Sequence, residues 1–257
     1  MSTEVSFYKN HSDTAGEIRS LLGLCEDIKQ GKWDRDILAM RQELEGVSDE
    51  KKRDCIKKLH KAKLSAFTGS GVFSERNAKG LIKHSGIIFI DIDLKDNPIL
   101  LEKFDEILKH LTADKYTHIL FISCSGKGIV IGVKIDGTKH LETFQFLQHY
   151  YLEKHGLTID KGCKDITRLR YISYDPDLYL CEGAEIVIVP PEFLKEQKCS
   201  HSPVSHANGK NHEIVKAIIA SGKLLGDDSY DTWLRIGFAL AQEFGETGRG
   251  YFHSLRN

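Results

Sequence analysis

Asp91 and Asp93 stand two positions apart at the end of an apolar run, Ser85-Gly86-Ile87-Ile88-Phe89-Ile90-Asp91-Ile92-Asp93. Residues 87–90 are too few for a helix and rich in β-branched side chains, so they read as a strand covered on both faces. Side chains i and i+2 of a strand share a face, which sets the two carboxylates side by side where the strand leaves the core. Adjacent carboxylates raise one another's pKa unless a positive charge lies between them. The commonest such charge is a divalent cation that takes hard oxygen ligands, Mg²⁺ or Mn²⁺. The plainer reading is that both acids open a surface turn, since Lys95-Asp96-Asn97-Pro98 follows.

The surrounding pattern decides between these readings. After the Asp91 strand, Asn97 and Pro98 cap a helix whose apolar face is Ile99, Leu100, Phe104, Ile107, Leu108 and Leu111. A strand at 118–123, the turn Cys124-Ser125-Gly126-Lys127-Gly128 and a strand at 129–135 come next, then a helix from Thr138 to Gly156 and a fourth strand at 169–173. The order β-α-β-β-α-β is the ferredoxin-like or RNA-recognition-motif (RRM-like) arrangement, an α+β fold. Its usual sheet order, 4-1-3-2, brings the end of strand one beside the starts of strands three and four. Asp91 and Asp93 would then meet the Ser123–Gly128 turn and the segment carrying Asp160, Asp165, Arg168 and Arg170. Carboxylates, a glycine-rich turn with a lysine, and arginines are the equipment for holding a metal-bound triphosphate. The turn is not a Walker A loop: Phe121 stands where its first glycine would be, and Gly128 replaces the Ser or Thr.

Earlier in the chain, residues 5–8 read as a strand. Thr14-x-x-Glu17 is a capping-box pattern opening a helix with Ile18, Leu21, Leu22, Cys25 and Ile28 on one side, ended by Gly31. Helices follow at 36–45 and 49–60. The second of these carries Lys51, Lys52, Arg53, Lys57 and Lys58, with Cys55, Ile56 and Leu59 marking its buried face. A charge run of this kind is usually a solvated face. Lys61, Lys63 and the following apolar residues lead into a strand and a Gly69-Ser70-Gly71 turn. Beyond the fourth strand, residues 185–190 read as a last strand. Residues 195–211 lack periodicity and read as a linker; Cys199, His201, His206 and His212 fit no zinc spacing there. Amphipathic helices at 213–220 and 230–244 open a small helical module, which stops at Asn257 and reads as incomplete. The domains are therefore 1–84, an N-terminal α/β subdomain of the catalytic unit; 85–192, the RRM-like core; 193–211, the linker; and 212–257, the helical module.

With 257 residues, 40% hydrophobic and 28% charged, the chain has the composition of a globular protein, and no run reaches the length of a membrane helix. Net charge is −1, so any nucleic-acid site is a local patch. The 6 cysteines are scattered with no Cys-x-x-Cys, which reads as reduced thiols and a cytoplasmic location.

Ile90-Asp91-Ile92-Asp93, then Ser123-Cys124-Ser125-Gly126-Lys127-Gly128, then Ile159-Asp160 followed by Asp165 and Arg168-Leu169-Arg170 resemble, in order, the three motifs of archaeo-eukaryotic-type primases and primase-polymerases. Residues ~5–190 are most similar to the VirE N-terminal-like branch of that superfamily. Lys61-Ala62-Lys63-Leu64 and Arg168 through Pro176 are further cues. The tail from Tyr230 to Gly245 is similar to the helical domain that often follows primase cores. The resemblance implies template-directed nucleotidyl transfer with Mg²⁺ or Mn²⁺ on Asp91, Asp93 and a third acid, Asp160 or Asp165. It implies Ser123, Ser125, Gly126, Lys127, Gly128, Arg168 and Arg170 for nucleotide phosphates, and the basic stretch with Lys57, Lys58, Lys61 and Lys63 for the template. The partners implied are single-stranded DNA, NTP or dNTP, and a helicase or another replication or CRISPR-associated protein. Many members carry a histidine in motif two where this chain has Ile129-Val130. Either Lys127 or Ser125 takes over its phosphate contact, or activity is weakened or lost. The alternative function is therefore an RRM-like single-strand-binding module of a mobile-element replication protein. The third strand offers no aromatic for base stacking, which disfavours a plain RNA-recognition motif.

Overall fold

The computed structural model describes residues 3–194, 209–220 and 230–256. The chain forms two compact units, Met1–Pro190 and Pro191–Asn257. In the first, the order is β1 (Glu4–Tyr8), β2 (Glu17–Ser20), α1 (Leu21–Lys29), α2 (Asp34–Leu44), α3 (Glu50–Lys61), β3 (Ala66–Thr68), β4 (Gly71–Phe73), β5 (Leu81–His84), β6 (Ile87–Asp93), α4 (Leu100–Thr112), β7 (Thr117–Ile122), β8 (Gly128–Lys134), α5 (His140–His155), β9 (Leu169–Tyr171) and β10 (Tyr179–Leu180). A 3-10 turn, Lys161–Lys164, follows α5.

This is an α+β fold with antiparallel sheets. One sheet has the order β2-β1-β3-β9, a second β10-β7-β8-β6, and β4 pairs with β5. The second sheet is covered on both faces. Ile87 and Phe89 of β6 enter a core that also holds Val5, Leu24, Ile37 and Phe67 from β1, α1, α2 and β3. Ile88, Ile90 and Ile92 enter another, with Leu100 and Leu111 of α4 and Phe144 and Leu147 of α5. Two-sided burial is why this strand is apolar without alternation. The parity continues beyond Ile90: Asp91 and Asp93 take the face of Phe89, toward the first sheet.

The strand order corrects the 4-1-3-2 expectation. β6, β8 and β7 are neighbours, but residues 169–173 do not complete their sheet. β9 instead pairs with β3, setting Phe67 opposite Arg170. The open edge of β6 is met by other donors: the Asp160 N–H reaches the Asp91 carbonyl at 2.9 Å, and the Arg170 guanidinium reaches the Phe89 carbonyl. Those carbonyls are satisfied without a strand ladder, which frees β9 for the first sheet.

Other expectations shift for local reasons. Residues 17–20 pair with β1 rather than opening a helix, and Ser20, not Thr14, caps α1 by accepting the Gly23 N–H. The Asn97 side chain does not cap α4. It exchanges hydrogen bonds with the backbone of Thr158, at 2.9 and 2.7 Å, and so fixes the segment leading to Asp160. Residues 185–190 form only an isolated bridge, Ile135 to Val187. On α3 only Ile56 is buried; Cys55 and Leu59 are exposed.

The second unit contains α6 (Gly209–Ala220), α7 (Tyr230–Phe244) and α8 (Glu246–Arg256). Trp233 meets Phe252 edge-on at 5.9 Å between ring centroids, and His212 Nδ1 lies 2.6 Å from the Tyr251 hydroxyl. Gly245, at φ +56°, makes the left-handed step between α7 and α8. Cys199, His201, His206 and most of the expected linker lie outside the described residues. Among those described, no helix is long and apolar enough to cross a membrane.

A histidine pair on the first unit gives the fold a pH dependence. The Gly86 N–H donates to His84 Nδ1 at 2.9 Å, so His84 Nε2 carries the proton and donates to His140 Nδ1 at 3.0 Å. Protonating buried His140 would set two N–H groups against each other. Burial, aided by the nearby His84, holds its pKa down to about 4. A base with a depressed folded pKa binds fewer protons folded than unfolded, so its stabilisation is present above about pH 6.5 and is lost as pH falls toward 4. Urea unfolding is expected to show stability dropping by ~2–3 kcal/mol across that window, and His140→Gln is expected to flatten the drop. An equally steep drop in the variant would place the proton uptake elsewhere.

Candidate active site

Asp91 and Asp93 sit in a cavity of about 360 Å³ with Lys61, Ser123, Ser125, Arg168, Arg170 and Tyr171 on its walls. Each element contributes by position. β6 brings the acids by strand parity. In β8, Gly128 stands opposite Asp93 and Val130 opposite Asp91. A Cβ on Gly128 would come within 3.2 Å of both Asp93 Oδ1 and Ser123 Oγ, so glycine keeps this floor open. Lys61 is the last residue of α3, and its Nζ lies 5.3 Å from the Tyr171 ring centroid.

The two acids are held very differently. Asp91 Oδ2 pairs with Arg170 Nη1 and, at 3.3 Å, with Arg168 Nη2. The Cys163 thiol also approaches it, at 3.6 Å. Burial alone would raise the Asp91 pKa, but the two guanidiniums outweigh it and hold the carboxyl below the ordinary range. The Asp93 carboxylate makes no hydrogen bond or ion pair among the described residues. Burial, and then the charge of Asp91, push its pKa up. Arg170 is anchored three ways, by Asp91, the Phe89 carbonyl and Cys163 Sγ at 3.1 Å. Arg168 bridges Asp91 and Asp160.

The carboxylate oxygens of Asp91 and Asp160 and the thiol of Cys163 lie within 4.8 Å of one another, a spacing compatible with a divalent metal. The arginines already contact Oδ2 of both acids, and Arg170 also contacts the thiol, so a cation there competes with guanidinium. Asp93 carries no such competitor.

Not every expected residue reaches this cavity. Asp160 lies at its edge through Arg168, with Oδ1 accepting the Gly162 N–H. Asp165 is exposed and accepts from the N–H and hydroxyl of Thr167. Gly126 and Lys127 line a neighbouring hollow of about 650 Å³ with Leu38, Gln42 and Glu45. Lys57, Lys58 and Lys63 are not on the cavity wall, and Lys57 pairs with Asp54 at 3.4 Å.

Sequence reasoning missed Tyr171, Cys163 and Arg41. Tyr171 and Cys163 stand one and three residues from flagged positions, Arg170 and Asp160, a proximity that could have raised them. Arg41, on α2, has no such signal. It donates to the carbonyls of Cys124 (3.2 Å), Ser123 (3.0 Å) and Tyr174 (3.0 Å) and to Ser173 Oγ (3.3 Å), tying the Ser123–Gly128 turn to the turn after β9.

Residues 59–180 match the family model described as BT4734-like, N-terminal domain, and residues 216–255 match Primase C terminal 2 (PriCT-2). These matches support a primase-related replication protein. No curated protein and no solved structure matches the chain. Every residue named on the cavity wall falls within the first match, whereas Arg41 falls outside it.

The asymmetry between the acids is open to test in metal-free protein. Asp93→Asn removes an unpaired, half-buried charge and is expected to leave the melting temperature unchanged or raise it. Asp91→Asn strands buried Arg170 and is expected to cost ~3–5 kcal/mol. Equal effects of the two variants would contradict this electrostatic picture.

Proposed function

We propose that the first unit is a catalytic core that joins nucleotides on a single-stranded DNA template, as a primase or primase-polymerase. The observation that carries this reading is Asp93. It is a carboxylate with no partner, beside Asp91, in a cavity rimmed by hydroxyls and cations. Asp91 and Asp93 would hold Mg²⁺ or Mn²⁺, which when bound supplies charge neutralisation at phosphate oxygens and a more acidic hydroxyl nucleophile. The match to a primase C-terminal domain supports the same reading.

The protein's own groups divide the remaining work. Ser123 and Ser125 offer hydroxyls and Lys61 and Arg168 offer positive charge to the phosphates of the incoming nucleotide. Tyr171 offers a ring face to its base or sugar. Arg170 keeps Asp91 ionised and aimed. Lys61 thus moves from the template group to the nucleotide. Lys57, Lys58 and Lys63 remain candidates for the template backbone, and Lys127, which lines the neighbouring hollow with Arg41, joins them. The non-catalytic alternative draws on the ion pairs that Asp91 makes with Arg168 and Arg170.

Purified protein with unprimed single-stranded DNA, Mg²⁺ or Mn²⁺ and labelled NTPs or dNTPs tests this directly. Template-dependent products are expected from the native chain and none from Asp93→Asn. Lys61→Ala is expected to raise the nucleotide KM roughly tenfold or more, the worth of one hydrogen bond from a charged donor. Lys127→Ala is expected to weaken strand binding instead. Undiminished synthesis by Asp93→Asn would refute the catalytic reading.

A further inference from the structure

The two arginines at Asp91 are built for different tasks. The Arg170 side chain is 5% exposed and has a backbone carbonyl, a thiol and a carboxylate as fixed partners. The Arg168 side chain is 33% exposed, and among the described residues its partners are two carboxylates, Asp91 and Asp160. It lies against Gly162: a Cβ built there would stand 2.0 Å from Arg168 Nη1. Glycine at 162 therefore admits the guanidinium to the carboxylates.

We propose that Arg168 is an exchangeable counter-ion, occupying the carboxylates of the ligand-free site and moving to the nucleotide phosphates when a metal–nucleotide complex enters. The inference rests on the catalytic reading above and adds a coupling to it. In the ligand-free protein Arg168 neutralises part of the charge that attracts a divalent cation, so metal alone binds weakly. A polyphosphate gives the guanidinium an alternative partner of higher charge. Once Arg168 has turned, Asp160 is free of its guanidinium and Asp91 keeps only Arg170 as counter-ion. Metal and nucleotide then each favour the arrangement that binds the other, and such coupling is reciprocal. Arg170 does not take part, since leaving would strand three buried groups.

Two variants separate the roles. Arg168→Ala removes the counter-ion altogether. Gly162→Ala keeps the guanidinium but denies it the place on the carboxylates, because the added Cβ meets the far end of a side chain that can turn away. Mn²⁺ binding to nucleotide-free protein, read by electron paramagnetic resonance, is expected to tighten roughly five- to tenfold in both. Affinity for the Mn²⁺ complex of a fluorescent ATP analogue, read by anisotropy, is expected to fall in Arg168→Ala and to hold or rise in Gly162→Ala. Unchanged or weaker Mn²⁺ binding in both variants, with Asp93→Asn abolishing it, would overturn the exchange while leaving the catalytic reading intact. Native protein whose Mn²⁺ binding is indifferent to Asp93→Asn would overturn both.

Discussion

One guanidinium holds the site together. Arg170 comes from β9 in the first sheet, crosses to the edge of β6 in the second, and meets the Phe89 carbonyl, the Asp91 carboxylate and the Cys163 thiol. Burying a cation is costly unless every donor is used and the charge is answered. Here the Asp91 carboxylate answers the charge and the Phe89 carbonyl and Cys163 thiol accept further donors, and through these partners Arg170 joins two sheets and the 3-10 turn at a single point. It also sets the electrostatics of its neighbours. With Arg170 and Arg168 beside it, Asp91 stays ionised despite burial. Asp93, two residues on and without a partner, feels burial and the negative charge of Asp91 instead.

The rest of the first unit serves this point from a distance. Asn97 pins Thr158, so that Asp160 arrives beside Asp91 through a backbone hydrogen bond. Arg41 holds the carbonyls of Ser123 and Cys124 from α2, and a Cβ on Gly126 would come within 3.2 Å of its side chain. The N-terminal helices are thus part of the site's scaffold although the family match begins only at residue 59. A cavity assembled from β6, β8, β9 and the end of α3 needs both sheets in place before any of its groups converge.

The sequence made legible what local rules control. Asp91 and Asp93 were readable because strand parity depends only on neighbours in the chain. The two-sided burial of β6 was readable because no polar residue interrupts it before Asp91. What depends on long-range pairing was not. Residues 169–173 read as a strand, yet nothing within them says which sheet they join, and the expected place beside β6 is taken by Asp160 and Arg170. Lys61 reads as one of a basic stretch suited to the template, and only the fold brings it to Tyr171 on the cavity wall. Thr14-x-x-Glu17 matched a capping box, but pairing with β1 took Glu17–Ser20 first. Arg41 carried no signal because its partners are backbone carbonyls, which any sequence supplies.

The most direct measurement is anomalous diffraction from crystals soaked with Mn²⁺ and a non-reactive nucleoside triphosphate. The account predicts a manganese peak between Asp91 and Asp93, with the triphosphate reaching Lys61, Ser123, Ser125 and Arg168, and Arg170 still on Asp91. A peak centred on Asp160 and Cys163 with Arg170 displaced would contradict it, as would a triphosphate bound away from this cavity.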